Sequence, residues 1–148
     1  MKSRHKARAV TLASLYSMDF NKRFYDAQGK FIYADDPSRE DCFVAMSQEE
    51  KQELEQEVID YSRLLLLGTL ENLQQIDQRI QQYSKRELQD IALVDRNILR
   101  LSVYTLMFCT DVHPHVVIDE AVKLSQEYSS EVNYRFINGI LDAMVKDI

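Results

Sequence analysis

The sequence predicts an all-α protein, and three observations carry that prediction. Hydrophobic residues make up 45% of 148, enough for a core. Only three Gly and two Pro are present, too few breakers for a many-turned sheet protein. Apolar residues recur at steps of three and four along most of the chain. An all-β fold is nearly ruled out, and the length fits one domain over residues 1–148.

Residues 4–20 set Ala9, Leu12, Ala13, Tyr16 and Phe20 on one expected helical face, with Arg4 and Arg8 as i, i+4 neighbours. Residues 21–46 lose the period and mix Gly29, Asp35, Asp36 and Pro37 with Phe24, Tyr25, Phe31, Tyr33 and Phe43. The length is unusual for a structureless loop, and a packed excursion, a short helix and a hairpin all fit. Ser47 to Glu50 has capping-box spacing, so a helix is expected to start there, with Leu54, Val58, Tyr61 and Leu65 on its apolar face. Gly68 allows a close approach or a small break, after which Leu73, Ile76 and Ile80 continue to about Tyr83.

Ser84 to Glu87 repeats the Ser-x-x-Glu spacing before Leu88 and Ile91, predicting another short helix. A longer one is expected from near Asp95. From Ile98 to Cys109 apolar side chains surround it, the mark of a central buried helix. Pro114 opens the next connection, followed by a face of Val117, Ala121, Leu124 and Tyr128. Phe136, Ile137, Ile140, Leu141, Met144 and Ile148 form the last stripe. Within it Gly139 costs about 1 kcal/mol against Ala and is expected to serve packing. This makes about seven helices.

The net charge of −6 is unevenly spread. Residues 1–25 hold six Lys and Arg against Asp19 alone, a charge of +5 that leaves −11 on the rest. Such a chain suits local contact with a polyanion better than coating of DNA; on charge alone, a solvated basic tail explains the arm best. Cys42 and Cys109 match no disulfide, zinc or redox spacing, and reducing cytosol is the simplest setting. The basic N-terminus lacks the apolar core of a signal peptide, and the longest purely apolar run, Leu64 to Leu67, cannot span a bilayer.

Catalytic signals are missing from the sequence. There is no phosphate loop, nucleophile elbow or HExxH, and Asp119 and Glu120 point about 100° apart on a helix. His113-Pro114-His115 reads as a loop and not as a metal site. No enzyme, cofactor or metal is therefore expected. Basic residues beside Tyr83, Tyr134 and Phe136 fit single-stranded RNA, bound by phosphate contacts and base stacking, although aromatics at helical spacing more often form core.

Four stretches in order sharpen this reading: Ala7-Arg8 with Leu12 to Tyr16, Val94 to Leu101, Ile118 to Leu124, and Phe136 to Asp142. Together they resemble the NusB family of bacterial transcription antitermination factors. The resemblance implies two small packed helical bundles and binding of boxA RNA in nascent ribosomal transcripts together with NusE, a small-subunit ribosomal protein. RNA polymerase and other Nus factors would join indirectly.

By that resemblance the RNA-facing residues are Lys2, Arg4, His5, Lys6, Arg8, Asn72, Tyr83, Arg100, Tyr134, Arg135 and Phe136. Arg100 has a competing role as the partner of a carboxylate such as Asp95 or Glu120. Tyr16 and Asp95 fall at NusE-facing positions, with core packing and helix capping as their respective alternatives. Arg4→Glu or Arg8→Glu is expected to weaken RNA binding without unfolding.

The chain departs from the family in an arm leaner in Arg, in Ala13 at a commonly polar position, and in a longer segment 21–46. Two other readings compete: a homodimeric protein-interaction module, and an RNA-binding domain like that of ribosomal RNA cytosine methyltransferases. The second expects a catalytic domain after Ile148.

Overall fold

In a computed structural model, residues 2–33, 49, 54–130 and 132–147 are described; among them are six α-helices, one 3-10 turn and no sheet. Ser47 and Glu50, the two bonding partners of the expected capping box, and Asp35, Asp36, Pro37, Cys42 and Phe43 lie outside the described residues. The chain packs as two compact units, Met1–Gly68 and Thr69–Ile148.

The first unit holds α1 (Lys2–Phe20) and most of α2 (Gln56–Glu71). The buried side of α1 carries Ala7, Val10, Thr11, Ser14, Leu15 and Met18. The stripe expected from the sequence is thus largely the wrong one: Leu12 is buried, but Ala13, Tyr16 and Phe20 face outward. Two hydroxyls hid the true face. The Thr11 Oγ1 lies 2.8 Å from the carbonyl of Ala7 and 3.3 Å from that of Ser62, so a residue counted as polar is satisfied inside.

A Schellman-type closure ends α1, with the Arg23 N–H donating to the Met18 carbonyl (3.1 Å) and Lys22 at φ 58°. Of the alternatives for residues 21–46, the described part takes the hairpin. Tyr25 bridges Phe31, and the Asp26 Oδ1 accepts from the N–H groups of Gln28 (2.9 Å) and Lys30 (2.8 Å). Gly29 supplies the φ of +82° that this turn requires. Phe24 and Tyr33 meet edge to face inside, with ring centroids 5.6 Å apart.

In the second unit, α3 (Leu73–Tyr83), α5 (Pro114–Tyr128) and α6 (Tyr134–Lys146) all pack on α4 (Leu93–Phe108). This is the buried central helix the sequence indicated. The break before α3 falls at Asn72 and not at Gly68, which stays helical. The second capping box does not form. Ser84 Oγ instead accepts the N–H of Arg86 (3.1 Å), and residues 88–90 make only a 3-10 turn. Asp95 is the third residue of α4 and not its cap, a place taken by Ala92. His113 caps α5, its Nδ1 accepting from the N–H of His115 at 3.1 Å.

Ile137, Ile140, Leu141 and Met144 are the buried stripe of α6. Gly139 does not serve packing: it faces solvent, and a Cβ there meets nothing within 4 Å. Gly139→Ala is therefore expected to raise stability by up to about 1 kcal/mol through helix propensity, seen as a higher Tm. An unchanged or lower Tm would mean that α6 tolerates no side chain here.

Candidate nucleic-acid interface

In the first unit, the arm is the opening of α1. The Lys2 backbone is helical. The Arg4 guanidinium carbon sits 4.5 Å from the centroid of the Tyr61 ring, and that of Arg8, one turn on, 5.8 Å from the same centroid. Ser3, Arg4, Glu57, Asp60, Tyr61 and Leu64 line an open groove of about 570 Å³, where Ser3 Oγ donates to Glu57 Oε1 at 3.0 Å. Arg8 is only 6% exposed. It belongs to the packing of the unit, so reversing its charge places a carboxylate in a buried site and is no clean test of RNA binding. Lys6 is exposed, and His5 is half-buried.

The second unit carries aromatic rings covered by arginines. Arg86 lies over Phe136 (4.6 Å), Arg79 over Tyr83 (5.6 Å) and Arg135 over Tyr134 (5.9 Å). The Tyr83 hydroxyl donates to Asp147 Oδ2 at 2.6 Å, and this bond to a carboxylate holds its pKa above the ordinary phenol value. A hydrogen bond with Tyr134 likewise raises that of Arg135. Tyr83 is thus tied to the C-terminal end of α6, about 16 Å along the helix from Phe136. The two rings therefore do not form one stack.

Arg100 does not reach the surface. It is 1% exposed, and it pairs with a carboxylate, as the competing role expected, that of Asp77 on α3. Nε and Nη2 donate to the two carboxylate oxygens at 2.8 and 3.0 Å, and Nη1 to Asn97 Oδ1 at 3.0 Å. The guanidinium is enclosed, because α3 lies against α4 and brings Asp77 across. Asp77 had one sequence signal: a carboxylate on the apolar face of Leu73, Ile76 and Ile80.

Asp95 is also inside, at 3% exposure. Its Oδ2 accepts from Asn133 Nδ2 (2.9 Å), which also bonds Ser129 Oγ (3.1 Å), so the side chain ties α4 to the α5–α6 connector. Asn72 is half-buried at the helix break. Tyr16 is not core: it is 37% exposed and stacks on Phe20, itself 61% exposed, with centroids 6.2 Å apart. Sequence reasoning missed Arg79 and Arg86 because a lone surface arginine carries no local pattern.

The family model of the NusB family matches residues 5–146. The chain belongs to the NusB family. A relative from Colwellia psychrerythraea, a transcription antitermination protein NusB, is 35% identical over 97% of this chain and 92% of its own. One of the same name from Leptospira biflexa is 37% identical over 99% and 94%. Among solved structures, T. maritima NusB superposes with a TM-score of 0.77 at 28% identity, covering 97% of this chain and 91% of that one. A chain from the crystal structure of antitermination factors NusB and NusE in complex with dsRNA gives a TM-score of 0.76 at 25% identity, over 100% and 99%. The NusB family is non-enzymatic. No helix among the described residues is long and apolar enough to cross a membrane.

Proposed function

We propose that this chain is a cytoplasmic antitermination factor that binds boxA-type single-stranded RNA of nascent ribosomal transcripts together with NusE and suppresses premature termination. The observation that carries the reading is the set of half-buried aromatic rings covered by Arg86, Arg79 and Arg135, which offers stacking faces and cations in one unit. The likeness to the NusB found with NusE and dsRNA supports it.

Lys2, Arg4, His5 and Lys6 neutralise phosphates in this scheme, while Tyr83, Tyr134, Arg135 and Phe136 meet bases or adjoining phosphates, and Asn72 adds a polar contact. Arg8, Arg100 and Asp95 act by holding the framework. Tyr16, with Phe20, faces NusE. RNA polymerase and other Nus factors engage the assembled complex.

The test is fluorescence anisotropy of labelled boxA RNA, its duplex form and a scrambled strand, with and without NusE, at two salt concentrations. Selective binding of the boxA strand, tightened by NusE, is the expected result. No selectivity even with NusE sinks the reading. The exposed Tyr16–Phe20 stack then favours a homodimer, which sedimentation reads as a doubled mass.

A further inference from the structure

We propose that Arg86 is a stand-in for a nucleobase on Phe136: its guanidinium covers the ring in the free protein, and a base displaces it on binding, sending it to that nucleotide's phosphate. The inference rests on the RNA-binding reading above. Its geometric basis is a fixed ring under a movable cover.

Phe136 is the third residue of α6, half-buried and followed directly by Ile137, which is fully buried, so the ring is held by the helix that carries it. Arg86 is exposed, and its guanidinium carbon lies 4.6 Å from the ring centroid. Among the described residues no carboxylate pairs with it. The main chain beneath it is pinned. Ser84 Oγ accepts the Arg86 N–H (3.1 Å) and lies 2.8 Å from its carbonyl, which also accepts from Gln81 Nε2 at 2.8 Å. Gln81 Oε1 in turn accepts the N–H of Leu88 at 2.9 Å. Gln81 therefore staples the loop on both sides of Glu87, and only the Arg86 side chain must swing.

The exchange runs in the right direction. A base stacked on an aromatic ring contributes more than a solvent-exposed guanidinium on the same ring. The planar, always-charged guanidinium suits both positions, flat against the ring before binding and bidentate on phosphate afterwards. In the free protein the cover also keeps the ring face from open solvent.

A displaced cover has a thermodynamic sign that a shared clamp lacks. Binding to the wild-type protein includes the cost of uncovering Phe136, a cost absent once either residue is removed. The experiment measures boxA RNA affinity for wild type, R86Q, F136L, the R86Q/F136L double variant and R86K, in the presence of NusE across a salt series. Thermal melts confirm folding. The double variant is expected to lose more affinity than the product of the two single losses, by a factor of about two to five. R86Q lowers the steepness of log affinity against log salt by about 0.7, one phosphate contact, and R86K restores it.

A double loss equal to or smaller than the product overturns the inference, since it means independent contacts or a joint clamp. An unchanged salt slope in R86Q overturns it as well. Because R86Q and R86K leave Phe136 in place, the slope decides even where F136L unfolds. Loss of selective binding by the wild type removes the functional reading and this inference with it; selective wild-type binding with a failed cycle or slope removes this inference alone.

Discussion

Asp77→Ala is expected to lower the stability of the second unit by about 3–5 kcal/mol, read as a drop in the urea midpoint. The reason is the enclosed guanidinium of Arg100, which donates two hydrogen bonds to the Asp77 carboxylate at 2.8 and 3.0 Å. Removing the acid takes both of those bonds from a positive charge at 1% exposure, which keeps its bond to Asn97 Oδ1 at 3.0 Å. Replacing both members, as in Asp77→Leu with Arg100→Met, removes the charge and its partner together and is expected to recover most of the loss. A single variant as stable as the wild type would show that water or a rearranged carboxylate reaches Arg100. The pair thus matters for how α3 sits on α4, and hence for where Tyr83 ends up.

Arg4→Gln combined with Lys6→Glu is expected to weaken boxA RNA binding by about tenfold or more at low salt and to flatten its salt dependence by about 1.4 in the log–log slope. Lys6 is exposed, and Arg4 rests over Tyr61 beside the Glu57 and Asp60 groove, so neither change places a charge in a core. Glutamine at position 4 avoids adding a third carboxylate to that groove. Arg8→Glu is expected to behave differently, lowering Tm as well as affinity, because Arg8 is 6% exposed. Unaltered affinity and slope in the Arg4/Lys6 variant, with an unaltered melt, would remove the arm from the RNA contact.

The helices were legible because their apolar period is strong where burial is deep. In α4 the sequence indicated both the helix and its central place, and in α6 the stripe from Ile137 to Met144 is the one that is buried. The period misled in α1, where Thr11 and Ser14 occupy the inner face and two aromatics the outer one. Hydrophobicity cannot distinguish an apolar face turned to a core from one turned to a partner. The Ser84–Glu87 spacing misled for a local reason: one hydroxyl has several backbone groups within reach, and here it turned to Arg86.

The family was legible from ordered motifs, but which of their charges reach solvent was not. Arg8 and Arg100 look like Arg4 and Arg135 on paper, and exposure is decided by residues far along the chain. Asp77 is 23 positions from Arg100, and Tyr61 lies 53 from Arg8. The cover on Phe136 belongs to the same class, a pairing across 50 positions with no local pattern to announce it.

The staple made by Gln81 has a consequence for how this surface can change over generations. Its amide grips the backbone at Arg86 and Leu88, so the shape of the turn is stored in α3 and not in the residues of the turn itself. Lys85 and Glu87, both exposed and neither bonded to that amide through its side chain, are left as interchangeable positions. Their charge can drift without moving Arg86, so the electrostatics of this turn can be retuned while the fold and the covered ring stay as they are.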